Sequence, residues 1–200
     1  MKELKRTYES TQGANNEAIR ALIYSPENEY AHSVKSPSAY KTRNVKTSTQ
    51  LIQGTKSHEY QVALLINILQ LPENSKVLLV GAGDIAETTL NLLIESCNLP
   101  ITMVNQTYSN SEKFNGIENV RTSRLENLPY LIKKHDVIIS TIPVENYLNA
   151  GQASQIESKY IFDLTVPSSI ASLFGNSNNI IFDLEKINKF SELHFKKKTA

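Results

Sequence analysis

The sequence predicts an α/β domain built on a doubly wound parallel sheet, and three observations carry that expectation. Beyond Pro72, apolar runs of strand length alternate with segments of helix length. The first run, Val77-Leu78-Leu79-Val80, is apolar at every position, as suits a strand covered on both faces. It passes directly into Gly81-Ala82-Gly83-Asp84-Ile85-Ala86, a G-x-G-x-x-A turn that opens a helix-like segment. Strands separated by helices imply right-handed crossovers and helices on both sheet faces. Local propensity leaves the strand order open, and the glycine turn selects the Rossmann-type order.

The 200 residues suffice for one ordinary domain and an extension. We read 1–72 as a polar, mainly helical N-terminal extension with a linker helix, 73–195 as the Rossmann NAD(P)-binding domain and 196–200 as a basic tail. Hydrophobic residues at 40% and charged residues at 20% suit a soluble protein with a buried core. A net charge of +1 supplies no global field to hold nucleic acid. Lys196-Lys197-Lys198 reads as a solvated tail. Cys97, the single cysteine, excludes an internal disulfide and suits a reducing cytoplasm. The start Met1-Lys2-Glu3-Leu4-Lys5-Arg6 lacks the apolar run of a signal peptide, and no stretch has the length of a membrane span.

The elements follow in order. Residues 1 to about 56 are polar and weakly patterned, with a short helix over Glu17–Ile23 and a break at Ser36-Pro37-Ser38. His58–Leu71 is a helix with a broad apolar side, stopped by Pro72, that packs on the domain behind it. Asp84–Cys97 is a helix whose face comes from Ile85, Ala86, Leu90, Leu92, Leu93 and Ile94. Ile101–Val104 is the second strand, and a polar stretch, Tyr108–Gly116, leads to a third at Val120. Leu125–Lys134 reads as a helix interrupted near Pro129, Asp136–Ser140 as the fourth strand and Asn146–Glu157 as a weaker helix. Tyr160–Leu164 and Ile180–Phe182 are further strands, and Leu184–Phe195 a final helix.

The turn after the first strand carries the chemistry. Gly81 permits the tight turn, Gly83 lets backbone approach a pyrophosphate, and Ala86 lets the helix sit close to the strand. The free N–H groups of that helix start, including those of Asp84 and Ile85, favour an anion. An acidic residue at the end of the second strand would select NAD. This chain has Asn105-Gln106-Thr107 there, which does not repel a 2′-phosphate, so NADP is favoured and NAD is the alternative. Arg121 and Arg124, placed after the third strand, are candidates for the missing charge, and an ordinary surface role for both stays open. Thr141-Ile142-Pro143 follows the fourth strand and falls on the nicotinamide side of a bound cofactor. Pro143 has a second reading as the start of the next helix.

With these motifs in hand, the chain resembles a known family. Val77-Leu78-Leu79-Val80-Gly81-Ala82-Gly83, Val104-Asn105-Gln106-Thr107, Asp136-Val137-Ile138-Ile139-Ser140-Thr141 and Asp163-Leu164-Thr165-Val166-Pro167-Ser168-Ser169-Ile170 are similar to the NADPH-binding domain of glutamyl-tRNA reductase. Ile181-Phe182-Asp183-Leu184 adds to the likeness. The resemblance covers a little over half the chain. The Asp-Leu-x-Val-Pro element is its most specific part and is expected to separate this family from shikimate dehydrogenase, which shares the glycine turn and an Asn-Arg-Thr. The resemblance implies NADPH as cofactor and hydride transfer to a thioester made by a catalytic cysteine. The departures are as telling. No cysteine lies in the first 70 residues, the C-terminal dimerising helices are largely missing, Gln106 stands where arginine is expected, and Ser168-Ser169 replaces Arg-Asp. Cys97, near the end of the first helix of the domain, reads as a small hydrophobe. The tRNA-dependent reaction is therefore not expected of this chain alone.

The remaining candidates are weaker. His32, His58, His135 and His194 show no ligand spacing, so no metal is expected. Asp163 is read as fixing the loop behind it and Asp183 as capping a helix, ahead of a catalytic role for either. Lys35, Tyr40, Lys41, Arg43 and Lys46 read as a solvated basic face. Three functions compete. One is an NADP-dependent oxidoreductase linked to tetrapyrrole (haem or sirohaem) synthesis, acting without a cysteine nucleophile of its own. Another is a non-catalytic dinucleotide-binding module or subunit beside a catalytic partner. The third is an enzyme like precorrin-2 dehydrogenase, against which the Asp-Leu-x-Val-Pro element argues. The expected partners are a small-molecule substrate or a protein supplying catalytic groups, with no membrane or nucleic acid, and a homodimer is left open.

Overall fold

Apolar strands that must hide both faces need a helical layer on each side, and the chain builds those layers in turn. The computed structural model describes residues 57–144, 147–148, 150–157, 159–168, 174 and 179–196. The helix expected over Glu17–Ile23, the rest of the N-terminal extension before residue 57, the basic stretch Lys35–Lys46 and the tail beyond residue 196 lie outside these residues. In chain order the elements are α1 (His58–Ile68), β1 (Val77–Val80), α2 (Asp84–Ser96), β2 (Ile101–Asn105), α3 (Tyr108–Glu112) and β3 (Val120–Arg124). After a 3₁₀ turn over Leu125–Asn127 come α4 (Leu128–Lys134), β4 (Val137–Ser140), α5 (Ala150–Ala153), β5 (Tyr160–Asp163), β6 (Ile180–Phe182) and α6 (Leu184–Lys196).

The six strands form one sheet in the order β3-β2-β1-β4-β5-β6, and every neighbouring pair is parallel. This is the Rossmann-type order, with its reversal between β1 and its two neighbours β2 and β4. The period of two divides the inner strands between two cores, while β3 buries Val120 alone. Val77, Leu79, Ile101, Met103, Val137, Ile139 and Phe162 face one side, with α1, α2 and α6 packed over them. Leu78, Val80, Val104, Ile138 and Ile161 face the other, beneath Leu128 and Ile132 of α4 and Ala153 of α5. Phe162 and Phe182 stack at 4.8 Å between ring centroids, a pairing that contributes about 1 kcal/mol beyond its buried area.

Helix α1 belongs to this body. Val62, Ala63, Leu65 and Ile66 are buried in the same core as Leu90 and Leu93 of α2 and Ile187 and Phe190 of α6. Ser57 caps it by accepting a hydrogen bond from the Tyr60 amide at 3.4 Å. It ends at Ile68, three residues short of expectation, because Gln70 turns to φ +47° before Pro72 is reached.

Several expected elements change on inspection. The apolar stripe of α2 is Ala86, Thr89, Leu90 and Leu93, whereas Ile85 and Ile94 are among the exposed large hydrophobics. The 3.6-residue period puts Thr89 inside, where its hydroxyl donates to the Ile85 carbonyl at 2.7 Å. The polar stretch after β2 contains the short helix α3. Pro129 does not interrupt α4 but sits in its first turn, where its missing N–H costs nothing. The helix expected over Asn146–Glu157 shrinks to Ala150–Ala153, with 145, 146 and 149 outside the described residues.

Candidate functional site

The carboxyl ends of β1, β2, β4 and β5 meet on one edge of the sheet, where this topology leaves a crevice. At its centre is the turn after β1. The Gly81 amide donates to the Val104 carbonyl at 2.8 Å, which ties the turn to β2. Gly81 has φ +121°, a backbone that side chains rarely tolerate, and a Cβ there would collide with Thr141 Oγ1. Thr141 occupies that space because both its amide and its hydroxyl donate to the Val80 carbonyl, each at 2.9 Å. The turn is therefore locked from two strands and carries no side chain of its own at its narrowest point.

Gly83 is the N-cap of α2, in extended geometry, and no side chain caps the first turn of that helix. A Cβ built on Gly83 meets nothing within 4 Å. The open space is outside the protein, against the start of a thirteen-residue helix whose first amides point outward. Behind it Ala86 is fully buried, so α2 lies close on β1. Asp84 and Ile85 line the opening and are exposed. The acidic first turn is half neutralised, since Glu87 pairs with Lys113 at 2.6 Å. This geometry, backbone donors and positive helix potential with no side chain in the way, suits a diphosphate. The site residues therefore fit the dinucleotide that the sequence implies.

At the end of β2 the Asn105 side-chain amide donates to the Thr107 carbonyl at 3.0 Å and closes the loop, leaving Gln106 and Thr107 exposed. The two arginines do not follow the third strand, as the sequence led us to expect, but lie within β3. Arg124 is the register partner of Asn105, whereas Arg121 pairs with Thr102. Three residues of strand separate them by roughly 10 Å, so only Arg124 reaches this edge. Its guanidinium lies 5.3 Å from the ring centroid of Tyr108, a residue that sequence reasoning left in a polar stretch. The aromatic two residues after Gln106 was the available signal.

At the end of β4, Ser140 is buried and its hydroxyl donates to the Ile142 carbonyl at 2.7 Å, which turns the chain over Thr141 and Ile142. Pro143 is exposed, and residues 145 and 146, on which its reading as a helix start turns, lie outside the described residues. At the end of β5, Asp163 is fully buried. Its Oδ1 accepts from the Thr165 amide at 3.0 Å and hydroxyl at 2.6 Å, and its Oδ2 from the Ser168 hydroxyl at 2.7 Å. The carboxylate holds the loop that carries the exposed Val166. Asp183 accepts from the Lys186 amide at 2.9 Å and so caps α6. Cys97 sits at the C-cap of α2, half-buried against the core and at the opposite edge of the sheet. Among the described residues no three His, Cys, Asp or Glu side chains form a metal-binding group. Also among them, no helix is long and apolar enough to cross a membrane.

Comparison with known proteins gives the family and the fold. The Shikimate / quinate 5-dehydrogenase family model matches residues 61–190. A glutamyl-tRNA reductase from Staphylococcus saprophyticus is 33% identical over 104 residues, which are 48% of this chain and 24% of that protein. The nucleotide-binding domain of glutamyl-tRNA reductase from Thermoplasma volcanium shares the fold, with a TM-score of 0.52 at 19% identity over 74% of this chain and 99% of that one. Shikimate 5-dehydrogenase from Thermus thermophilus, solved in complex with NADP(H) and shikimate, gives 0.50 at 15% identity over 71% and 56%. The chain spans about a quarter of the length of the curated relatives it matches. The glutamyl-tRNA reductase relatives bear out the resemblance read from the motifs, and the family model that matches carries the shikimate / quinate name.

Proposed function

Because the chain belongs to the Shikimate / quinate 5-dehydrogenase family, we propose that it is an NADP-dependent oxidoreductase module serving a hydride transfer in tetrapyrrole synthesis. The observation that carries this reading is the turn after β1, where Gly81 admits no side chain and Gly83 leaves open space before an uncapped helix. A bound NADP(H) supplies or accepts the hydride. The protein's part is to hold it. The amides from Gly83 to Ala86 grip the diphosphate, Asn105-Gln106-Thr107 borders the adenosine ribose, and Thr141-Ile142-Pro143 borders the nicotinamide side. The lack of a carboxylate at the end of β2 favours NADP over NAD.

The tetrapyrrole assignment is supported by the name of the glutamyl-tRNA reductase relatives. Cys97 lies at the far edge of the sheet, so a thioester route needs its nucleophile from another chain or segment. A reducing, cytoplasmic setting fits that free thiol. Titrating the protein into NADPH and following nicotinamide fluorescence tests the cofactor reading, and no binding at about millimolar cofactor overturns it. Substrate-dependent loss of NADPH absorbance supports the enzyme. A second reading, a binding module without chemistry, is favoured by Asp163, whose two oxygens are both engaged by its own loop. Binding without turnover on any carbonyl, thioester or tetrapyrrole substrate supports that alternative.

A further inference from the structure

We infer that Arg124 selects the 2′-phosphate of NADP(H), supplying from β3 the cation that the Asn105-Gln106-Thr107 loop lacks. The inference rests on the dinucleotide reading of the turn after β1. With the diphosphate at Gly83, the adenosine ribose lies over the end of β2. Gln106 is neutral, and the amide group of Asn105 is engaged by the Thr107 carbonyl. Arg124 is the register partner of Asn105, so its Cα stands one strand spacing away, about 5 Å.

Three features suit this side chain to the task. It is exposed, and among the described residues it forms no ion pair or hydrogen bond, so its five donors are available. The Tyr108 ring under the guanidinium limits its rotamers and leaves its edge for a bidentate phosphate contact. The neighbouring cations are committed or remote. Lys113 pairs with Glu87, and Arg121 lies opposite Thr102 near the far end of the strand. Discrimination between NADP and NAD therefore resides on β3, not on the residue after Asn105.

The test compares dissociation constants for NADPH, NADH and 2′,5′-ADP in the wild-type chain and in Arg124→Gln, Arg124→Lys and Tyr108→Leu. A charge-assisted phosphate contact corresponds to roughly a ten- to hundredfold effect. Arg124→Gln should weaken NADPH and 2′,5′-ADP by that factor while NADH changes less than about twofold. Arg124→Lys should recover part of the loss, and Tyr108→Leu should weaken NADPH by a smaller factor. Equal weakening of NADPH and NADH by Arg124→Gln, or no change in either, overturns the assignment. Failure of the wild-type chain to bind any of the three ligands overturns instead the dinucleotide reading beneath it. Arg124 is exposed, and an unchanged thermal midpoint in Arg124→Gln separates lost selectivity from lost fold.

Discussion

The same six strands end in two edges, and they differ in whether a helix start is left open to a ligand. At the amino edge, polar side chains are satisfied within the protein. His135 bonds the Leu131 carbonyl through Nδ1 at 2.6 Å and the Thr102 hydroxyl through Nε2 at 2.9 Å. Asp136 accepts from the Lys76 amide at 2.9 Å, and Asn179 bridges the Lys159 amide and the Ile156 carbonyl. At the carboxyl edge, the helix start at Gly83 is left without a capping side chain and with open space before it. The amino edge spends its hydrogen bonds on stability, and the carboxyl edge keeps backbone donors for a ligand. The contrast teaches where substitutions should alter folding and where they should alter binding.

The largest expected effect falls where the two demands coincide. Gly81→Val forces a side chain into φ +121° and against Thr141, and should cost at least about 3 kcal/mol in denaturant unfolding, with cofactor binding lost alongside. Retained stability would break the claim that Thr141 fills that space. Next comes the amino edge. His135→Ala leaves the Thr102 hydroxyl and Leu131 carbonyl short of partners and should cost roughly 2 kcal/mol, while NADPH affinity per folded molecule stays unchanged.

His135 also sharpens the comparison through pH. Burial holds its imidazole below the ordinary value of 6.5, against the opposing pull of the Leu131 carbonyl. The unfolded chain then binds more protons than the folded one. The contribution is fully present above pH 6.5 and is lost as pH falls through the lowered folded value. Unfolding free energy measured across that window should fall more steeply for the wild type than for His135→Ala, and parallel curves would remove the histidine from the account.

Gly83→Val should show the converse of His135→Ala. Its backbone is extended and its Cβ meets nothing, so stability should fall by no more than about 1 kcal/mol, the preference for glycine over valine at an N-cap. NADPH binding should weaken about tenfold or more, because the added side chain stands between the ligand and the helix amides. The smallest effect probes an exception within the carboxyl edge. Asp183 caps α6 there, so Asp183→Ala should cost about 1 kcal/mol and leave binding alone. Weakened binding in that variant would extend the ligand site to β6.

Much of this architecture is written in local pattern. Val77–Val80 is apolar throughout because both its faces are covered, and the strand has those bounds. Gly81 announces the turn because its φ of +121° and the Thr141 side chain leave no room for a Cβ, and Gly83 because a side chain there would stand before the helix amides. Patterns weaken where burial is partial. β3 reads Val-Arg-Thr-Ser-Arg and has a single buried residue, so it offered little beyond Val120, and both arginines were placed beyond it. Ile85 and Ile94 look like core residues by type, yet the helix turns them outward.

The sequence by itself determined the strand and helix segments and the small residues of the turn, because those follow from periodicities of two and 3.6 and from backbone sterics within a few residues. Only the tertiary structure decided that Thr141 fits against Gly81, that Arg124 stands beside Asn105 and that His135 meets Thr102. Each of those meetings joins residues far apart along the chain, and each depends on which strand the crossovers lay next to which. That order is set by the packing of whole helices against both faces, a sum over dozens of side chains that no local window contains.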